Sequence, residues 1–371
     1  MASRRRRTVI PVTQPFLPPR REYDAYLDGI YERCWLTNNG PLVHELEAAL
    51  AARLDVAVPL FVANGTVALQ VAIKALGVAG DVVTTPFSYV ATTSAVVWEG
   101  CTPVFADIEA GTFSLDPAAV DAAITPRTSA ILATHVFGTP CDVDALAALA
   151  AQRGLALIYD GAHSFATSYG GRSVFSYGDV TTCSFHATKL FHTVEGGGLF
   201  TESMGLRESM GRMRNFGHVD FTRFDGVGIN AKGSELHAAM GLCNLAHLDA
   251  LLARRSEIYE LYAAGFDGLC RQGRLTFQSD REGADPNRAY VPVLFEDTGH
   301  REQVHDALVA RDVMPRRYFS PGLNELNYVQ PVRLAVADDV AARILCLPSF
   351  HTMTDGQVDL VVSIVVDALG S

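Results

Sequence analysis

Residues 180–198 read VTTCSFHATKLFHTVEGGG: an apolar-leaning run of strand length, then a hydroxyl, two histidines, a lysine, a glutamate and three consecutive glycines. The lysine stands out, because the chain holds only Lys74, Lys189 and Lys232 among its 30 basic residues. Arginine keeps its proton at any ordinary pH, whereas a lysine in a dry site sheds it and becomes an amine able to form a Schiff base. The run before Lys189 reads as a strand and the segment after it as a turn. In open α/β sheets such strand-to-turn junctions are where ligands bind.

Outward from this stretch the same pattern repeats. LFVAN (60–64), DVVTTP (81–86), TPVFADI (102–108), SAILATHVFG (129–138), LALIYDGAH (155–163) and GGLFTE (197–202) are short, nearly apolar runs, mostly separated by helical or turn segments. Strands of this composition belong in a sheet covered on both faces, and their alternation with helices predicts an α/β fold with a mainly parallel central sheet. In TVALQVAIKALG, Leu69, Ala72, Ile73 and Leu76 fall on one face of a helix. Beyond Leu236 a long alanine- and leucine-rich stretch reads as a connecting helix. YVPVLF (290–295) and REQVHDALVARD (301–312) then predict a smaller α+β domain. The expected division is an N-terminal segment 1–29, a large α/β domain 30–254 and a small C-terminal domain 255–371.

With 371 residues, 49% hydrophobic and 19% charged, the chain can bury a large core. Its net charge of −11 argues against a broad nucleic-acid or anionic-membrane surface. The run Arg4–Arg7 lacks a following apolar region and reads as a solvated tail rather than a secretory signal. Seven cysteines without a CxxC pair fit neither a disulfide framework nor a zinc site, and reduced thiols in the cytoplasm are the expectation. No apolar run is long enough to cross a membrane. The pairs His135 with Cys141 and His186 with His192 lack metal-ligand spacing and read as satisfied polar side chains.

Three strand ends carry the chemistry. Asn64-Gly65-Thr66 closes the first strand and opens a helix, so Gly65 and Thr66 can offer a hydroxyl and free N–H groups to a phosphate, although an ordinary helix cap explains the same residues. Asp160 ends LALIY; a carboxylate buried there needs a cation, and a protonated pyridine nitrogen is a natural one. His163 can support that carboxylate or face the ring. Ser184 and Lys189 follow on the next strand end. A phosphate cradle, an aspartate for a pyridinium, a serine for a phosphate oxygen and a rare lysine together describe a site for pyridoxal 5'-phosphate. His186, His192 and Glu195 receive no role. A dinucleotide-binding oxidoreductase is disfavoured, since no G-x-G-x-x-G follows the first strand.

Nearly the whole chain also resembles the DegT/DnrJ/EryC1/StrS sugar aminotransferases. The likeness runs through PVTQPFLPP, WLTNNGP, TPFSYVATTSAVVWEG, YDGAH, SFHATK, RNFGH and GINAKGSELHAAMG. It implies fold type I of the PLP-dependent transferases, as in aspartate aminotransferase. It further implies that Lys189 carries the cofactor, that Asp160 pairs with the pyridine nitrogen, and that Ser184, Gly65 and Thr66 hold the phosphate. Tyr89 matches an aromatic that stacks on the ring. Asn230 matches an asparagine that reaches the cofactor of a neighbouring subunit, which implies a homodimer with shared active sites. NGT stands where SGT is usual, and YDGAH where EDAAH is usual. A dehydrating branch has histidine in place of the lysine, so transamination is implied here.

The implied reaction moves an amino group from L-glutamate to C-4 of a nucleotide-linked keto sugar, dTDP-4-keto-6-deoxyglucose, giving dTDP-4-amino-4,6-dideoxyglucose. Amination at C-3 of a ketosugar, or of a keto-inositol, is the alternative within enzymes. A non-catalytic sensor on the same fold is the alternative outside them. The pair Arg316–Arg317 reads as surface charge, with donors to the substrate's pyrophosphate as the other reading.

Overall fold

The structure is a computed structural model and describes residues 9–370. The run Arg4–Arg7 lies outside the described residues. Strands β1 (Leu60–Val62), β2 (Asp81–Thr84), β3 (Thr102–Phe105), β4 (Thr128–Thr134) and β5 (Ala156–Asp160) come first. A short pair, β6 (Ser168–Tyr169) and β7 (Arg172–Ser173), interrupts the series before β8 (Val180–Ser184) and β9 (Gly197–Phe200). The central sheet has the order β1-β9-β8-β5-β4-β2-β3. Its pairings are parallel from β8 through β5, β4 and β2 to β3, and β9 runs antiparallel to both β8 and β1. All seven runs read as strands from the sequence are the strands of this sheet, but SAILATHVFG overreaches. Its last residues leave the sheet and form a 3-10 turn at Val136–Gly138.

Both faces are covered, which is why the strands lack the polar alternation of a half-solvated sheet. Val82, Ala130, Leu132, Ile158 and Val180 pack on one face beneath helices Gly65–Ala75 and Val90–Trp98. Val83, Ile131, Ala133, Leu157 and Tyr159 point the other way, toward helices Pro117–Ala123 and Val143–Arg153. This period of two along β4 and β5 fixes their register, because a slip by one residue would exchange the two cores.

A second sheet follows: β10 (Leu275–Phe277), β12 (Val291–Phe295) and β13 (Ile344–Leu347) pair antiparallel, while the short β11 (Ala284–Asp285) joins β6. Helices Leu248–Arg271, Thr298–Val309 and Asp355–Gly370 bury their apolar faces with it. The connecting helix expected past Leu236 is broken. Helix Glu235–Ala246 ends at His247, and Leu248–Arg271 leaves at 61° to it. His247 leaves the helical conformation there and its Nε2 pairs with Glu22 at 2.8 Å.

Neither expected segment boundary coincides with a break between elements. Position 29/30 lies inside helix Arg20–Arg33, which packs on Glu235–Ala246, and 254/255 lies inside Leu248–Arg271. Residues near the start of the chain join the second sheet's neighbourhood instead. Ile10 is buried in that core, with its N–H donating to Asp312 O at 2.9 Å and its carbonyl accepting from Met314 N at 2.9 Å. Among the described residues no single helix is long and apolar enough to cross a membrane.

Candidate active site

The ends of β1, β5 and β8 open into one cavity of about 690 Å³. β5 and β8 are adjacent, with Asp160 in register with Thr182. Asp160 and Ser184 therefore emerge side by side, and Lys189 returns over them from the turn after β8.

Asp160 is buried. Its Oδ2 accepts from Thr92 Oγ1 at 2.8 Å and its Oδ1 from Ala162 N at 3.0 Å. Behind Thr92 the hydroxyl of Ser88 lies at 2.8 Å, and Thr134 Oγ1 donates to Ser88 at 3.2 Å. Burial raises the carboxyl's pKa despite these bonds and the opposing charge of Lys189. A hydrogen bond to a charged group contributes about 1.5–3 kcal/mol, less than dehydrating a carboxylate costs. Asp160 is thus an anion short of a cation, which is the condition a protonated ring nitrogen relieves.

Gly161 keeps the strand end tight, donating to Thr182 O at 2.8 Å. A Cβ there would lie 2.7 Å from Phe175 Cε1 and 2.9 Å from Thr182 O. The unusual glycine of YDGAH is therefore required by the packing of Phe175.

His163 is buried and near-parallel to the rings of Phe137 and Phe319, at centroid distances of 6.0 and 5.7 Å. Its Nδ1 accepts from Phe137 N at 3.2 Å, so the ring proton sits on Nε2. Phe137 adopts φ 55° in the turn that ends the β4 run, and this aims its N–H at the imidazole. Burial, with the nearby Lys189 charge, holds the His163 pKa well below the ordinary value, so the ring is neutral.

Asn64 caps helix Gly65–Ala75, its Oδ1 accepting from Val67 N at 2.9 Å. The cap reading was correct but incomplete. A Cβ on Gly65 would stand 2.8 Å from Ser184 Cβ and 3.1 Å from Ser184 Cα, so only glycine lets this helix start approach Ser184. The result is a hollow between a helix N-terminus and a serine, with Gly65, Thr66 and Ser184 all lining the cavity. It suits a phosphate dianion. Tyr89 lines the same cavity with 59% of its surface exposed.

Lys189 Nζ donates to Tyr290 Oη at 3.4 Å. Burial lowers its pKa, partly opposed by Asp160, Cys183, Tyr318 and Tyr89. Its amine is thereby brought closer to the reactive neutral form.

Gly65, Thr66, Tyr89, Asp160, His163, Ser184 and Lys189 all line this one cavity. Asn230 does not: it is exposed, bridged to Asn215 on a segment that the cavity excludes. His192 is structural, its Nε2 2.7 Å from Phe16 O and its carbonyl accepting from Asn244 Nδ2 at 2.7 Å. His186 and Glu195 pair at the cavity rim, 3.6 Å apart. Arg316, read as surface charge, is indeed exposed, but the surface is the cavity wall; Arg317 lies outside it. Thr92, Tyr290, Tyr318 and Phe319 escaped the sequence reading. Thr92 sits inside a helix, and the other three arrive from the far side of the molecule with no local pattern to mark them.

A cavity that sets a depressed lysine amine against a buried carboxylate, with a phosphate-sized hollow beside them, defines an enzyme that works through an amine. The comparisons with known proteins agree. The chain belongs to the DegT/DnrJ/EryC1/StrS aminotransferase family, whose model matches residues 20–366. It is 37% identical over 358 residues to the dTDP-4-amino-4,6-dideoxy-D-glucose transaminase of Shigella dysenteriae, covering 95% of this chain and 97% of that one. To the Escherichia coli transaminase of the same name it is 36% identical, covering 97% and 98%. The solved structure of DesI in the presence of its TDP-sugar product superposes with a TM-score of 0.92 at 34% identity, covering 97% of this chain and 93% of that one. The chain is accordingly a sugar aminotransferase with the fold of the PLP-dependent aminotransferases.

Proposed function

We propose that this enzyme uses pyridoxal 5'-phosphate to move an amino group from L-glutamate to C-4 of dTDP-4-keto-6-deoxyglucose, yielding dTDP-4-amino-4,6-dideoxyglucose. The observation that carries the substrate is the full-length likeness to two transaminases of that name, joined to a cavity whose Lys189 amine faces Asp160. When bound, the cofactor supplies an electron sink that stabilises negative charge at the carbon losing its proton. Gly65, Thr66 and Ser184 would hold its phosphate, Asp160 its ring nitrogen, and Tyr89 and His163 its ring.

The chain's own residues do the rest. Asp160, fixed by Thr92 and Ala162, keeps a negative charge beside the ring-nitrogen position. Neutral His163 adds no competing positive charge there. With the cofactor bound and its Nζ free, Lys189 would take a proton from the donor carbon and return one to the sugar carbon, as base and then acid. Burial lowers its pKa, which favours the neutral amine that the base role needs.

Asn230 gains its role in a homodimer with shared active sites. Phe216, Phe221, Phe224, Val227 and Ile229 are exposed along the same segment, an apolar surface that a second copy would cover. All seven cysteines are free, which suits the reducing cytoplasm.

The test is product analysis. Purified protein with glutamate and either 3-keto or 4-keto nucleotide sugars is expected to aminate the 4-keto compound, and amination of the 3-keto compound alone would overturn the assignment.

A further inference from the structure

The one hydrogen-bond partner of the Lys189 amine among the described residues belongs to a different part of the fold. Lys189 follows β8 of the central sheet, whereas Tyr290 stands at the entry to β12 of the second sheet. That 3.4 Å contact joins the two sheets across the cavity.

The segment bearing Tyr290 is anchored on every side. Asn287, 4% exposed, donates through Nδ2 to His163 O at 2.9 Å and to Phe165 O at 2.8 Å, and its N–H donates to Thr167 Oγ1 at 3.3 Å. Its Oδ1 accepts from Ala289 N at 3.0 Å. From behind, buried Arg255 donates to Ala289 O at 3.4 Å and to Ser349 Oγ at 3.0 Å, and also to Ser349 O. The Tyr290 ring itself is lodged beside His163 at 4.7 Å and Phe137 at 5.6 Å. One asparagine thus ties the turn carrying His163 to the turn carrying Tyr290.

We propose that Tyr290 is a positioning residue for Lys189, its hydroxyl holding the amine whenever the lysine is not bound to the cofactor. The inference rests on the aminotransferase reading for its purpose, though not for its geometry. A lysine has many rotamers in its four-carbon stem, and a free amine that must move a proton between two carbons needs a fixed place from which to act. Accepting one N–H at Tyr290 stops rotation of the amine and leaves its lone pair for the cavity. The phenol keeps its own proton, since burial raises its pKa, so it holds the amine without taking charge from it. Asp160, Cys183, Tyr318, Tyr89 and His163 also act on Lys189 electrostatically, but none is hydrogen-bonded to Nζ.

The chain's scarcity of lysine makes a direct test available. Cofactor-free protein is pulse-labelled with acetic anhydride across roughly pH 6 to 10, spanning the amine range. Mass spectrometry then gives a titration midpoint for Lys189, with exposed Lys74 as the reference within the same molecule. In Tyr290→Phe the Lys189 midpoint should fall, because the lost bond favours the ammonium, while that of Lys74 stays put. In the loaded enzyme kcat should drop about tenfold or more with both KM values little changed, as expected for a misplaced rather than missing group. Tyr290→Met, which lacks both the hydroxyl and the ring, must shift the midpoint the same way. An unchanged Lys189 midpoint in either folded variant would overturn the proposal. Failure of the wild-type enzyme to aminate any ketosugar would instead strike the substrate assignment and leave the lysine titration standing.

Discussion

The two walls of the cavity are built on different principles. The floor is made from strand ends on one edge of the central sheet: Gly65 and Thr66 after β1, Asp160 and His163 after β5, Ser184 and Lys189 after β8. Each of these residues stands within five positions of a strand end, so its place follows from the strand before it. The opposite wall is made of Tyr290, Arg316, Tyr318 and Phe319, carried there by the second sheet and the segment leading to it. Nothing local to those residues announces a cavity. A sheet that gathers its strand ends on one edge makes chemistry readable, whereas a wall assembled by tertiary packing must be seen.

If the floor carries the chemistry and the far wall, Tyr290 apart, the recognition, substitutions should separate accordingly. Lys189→Ala should have the largest effect, lowering turnover about ten-thousandfold in both half-reactions, as loss of the proton-transferring group requires. Absorbance of bound cofactor before and after adding glutamate would check it; a retained half-reaction would break the division at its centre.

Asp160→Asn comes next, with turnover down about a thousandfold. This variant should also melt a few degrees higher than wild type without cofactor at neutral pH. The sign follows from the raised pKa of Asp160. Below about pH 4 the carboxyl is protonated whether folded or unfolded, and its ionisation costs the fold nothing. Above its folded pKa the buried charge is disfavoured relative to the unfolded chain, and asparagine removes that cost. The gain in melting temperature should therefore vanish on acidification; a gain that persisted would mean that packing, not charge, is responsible.

Arg316→Ala should have the smallest effect and the most selective. As the one arginine among the described residues that lines the cavity, it should raise KM for the nucleotide sugar about tenfold, with the glutamate half-reaction unaffected. Steady-state kinetics with both substrates would show it. A defect in the glutamate step instead would transfer Arg316 to the chemistry.

The same division explains what was legible. The strands of the central sheet could be read because each is buried on both faces and so is apolar throughout. The overreach at Val136–Gly138 came from that same apolarity, since a buried turn beside His163 looks like more strand. The break at His247 was invisible because alanine and leucine continue on both sides of it, and only the tertiary contact with Glu22 marks the corner. Asp160 stood out as a strand-end acid, whereas Thr92, Ser88 and Thr134 behind it did not. A hydroxyl inside a helix or strand has no spacing that reveals which carboxylate it faces. Asn230 was noticed only through family resemblance, and in one chain it stands apart from the cavity.

The bracket that Asp312 and Met314 form around Ile10 has a consequence for how the molecule is made. Val12 and Thr13, just beyond that bracket, line the cavity, and Val12 O accepts from Ser349 N at 3.0 Å. These early residues leave the ribosome some three hundred positions ahead of the partners that hold them. At ~5–20 residues per second the wait is on the order of tens of seconds. A nascent chain can thus complete the central sheet while its first strand-like segment is still without a seat. The pocket closes only when synthesis has passed Ser349, with little more than helix Asp355–Gly370 still to come.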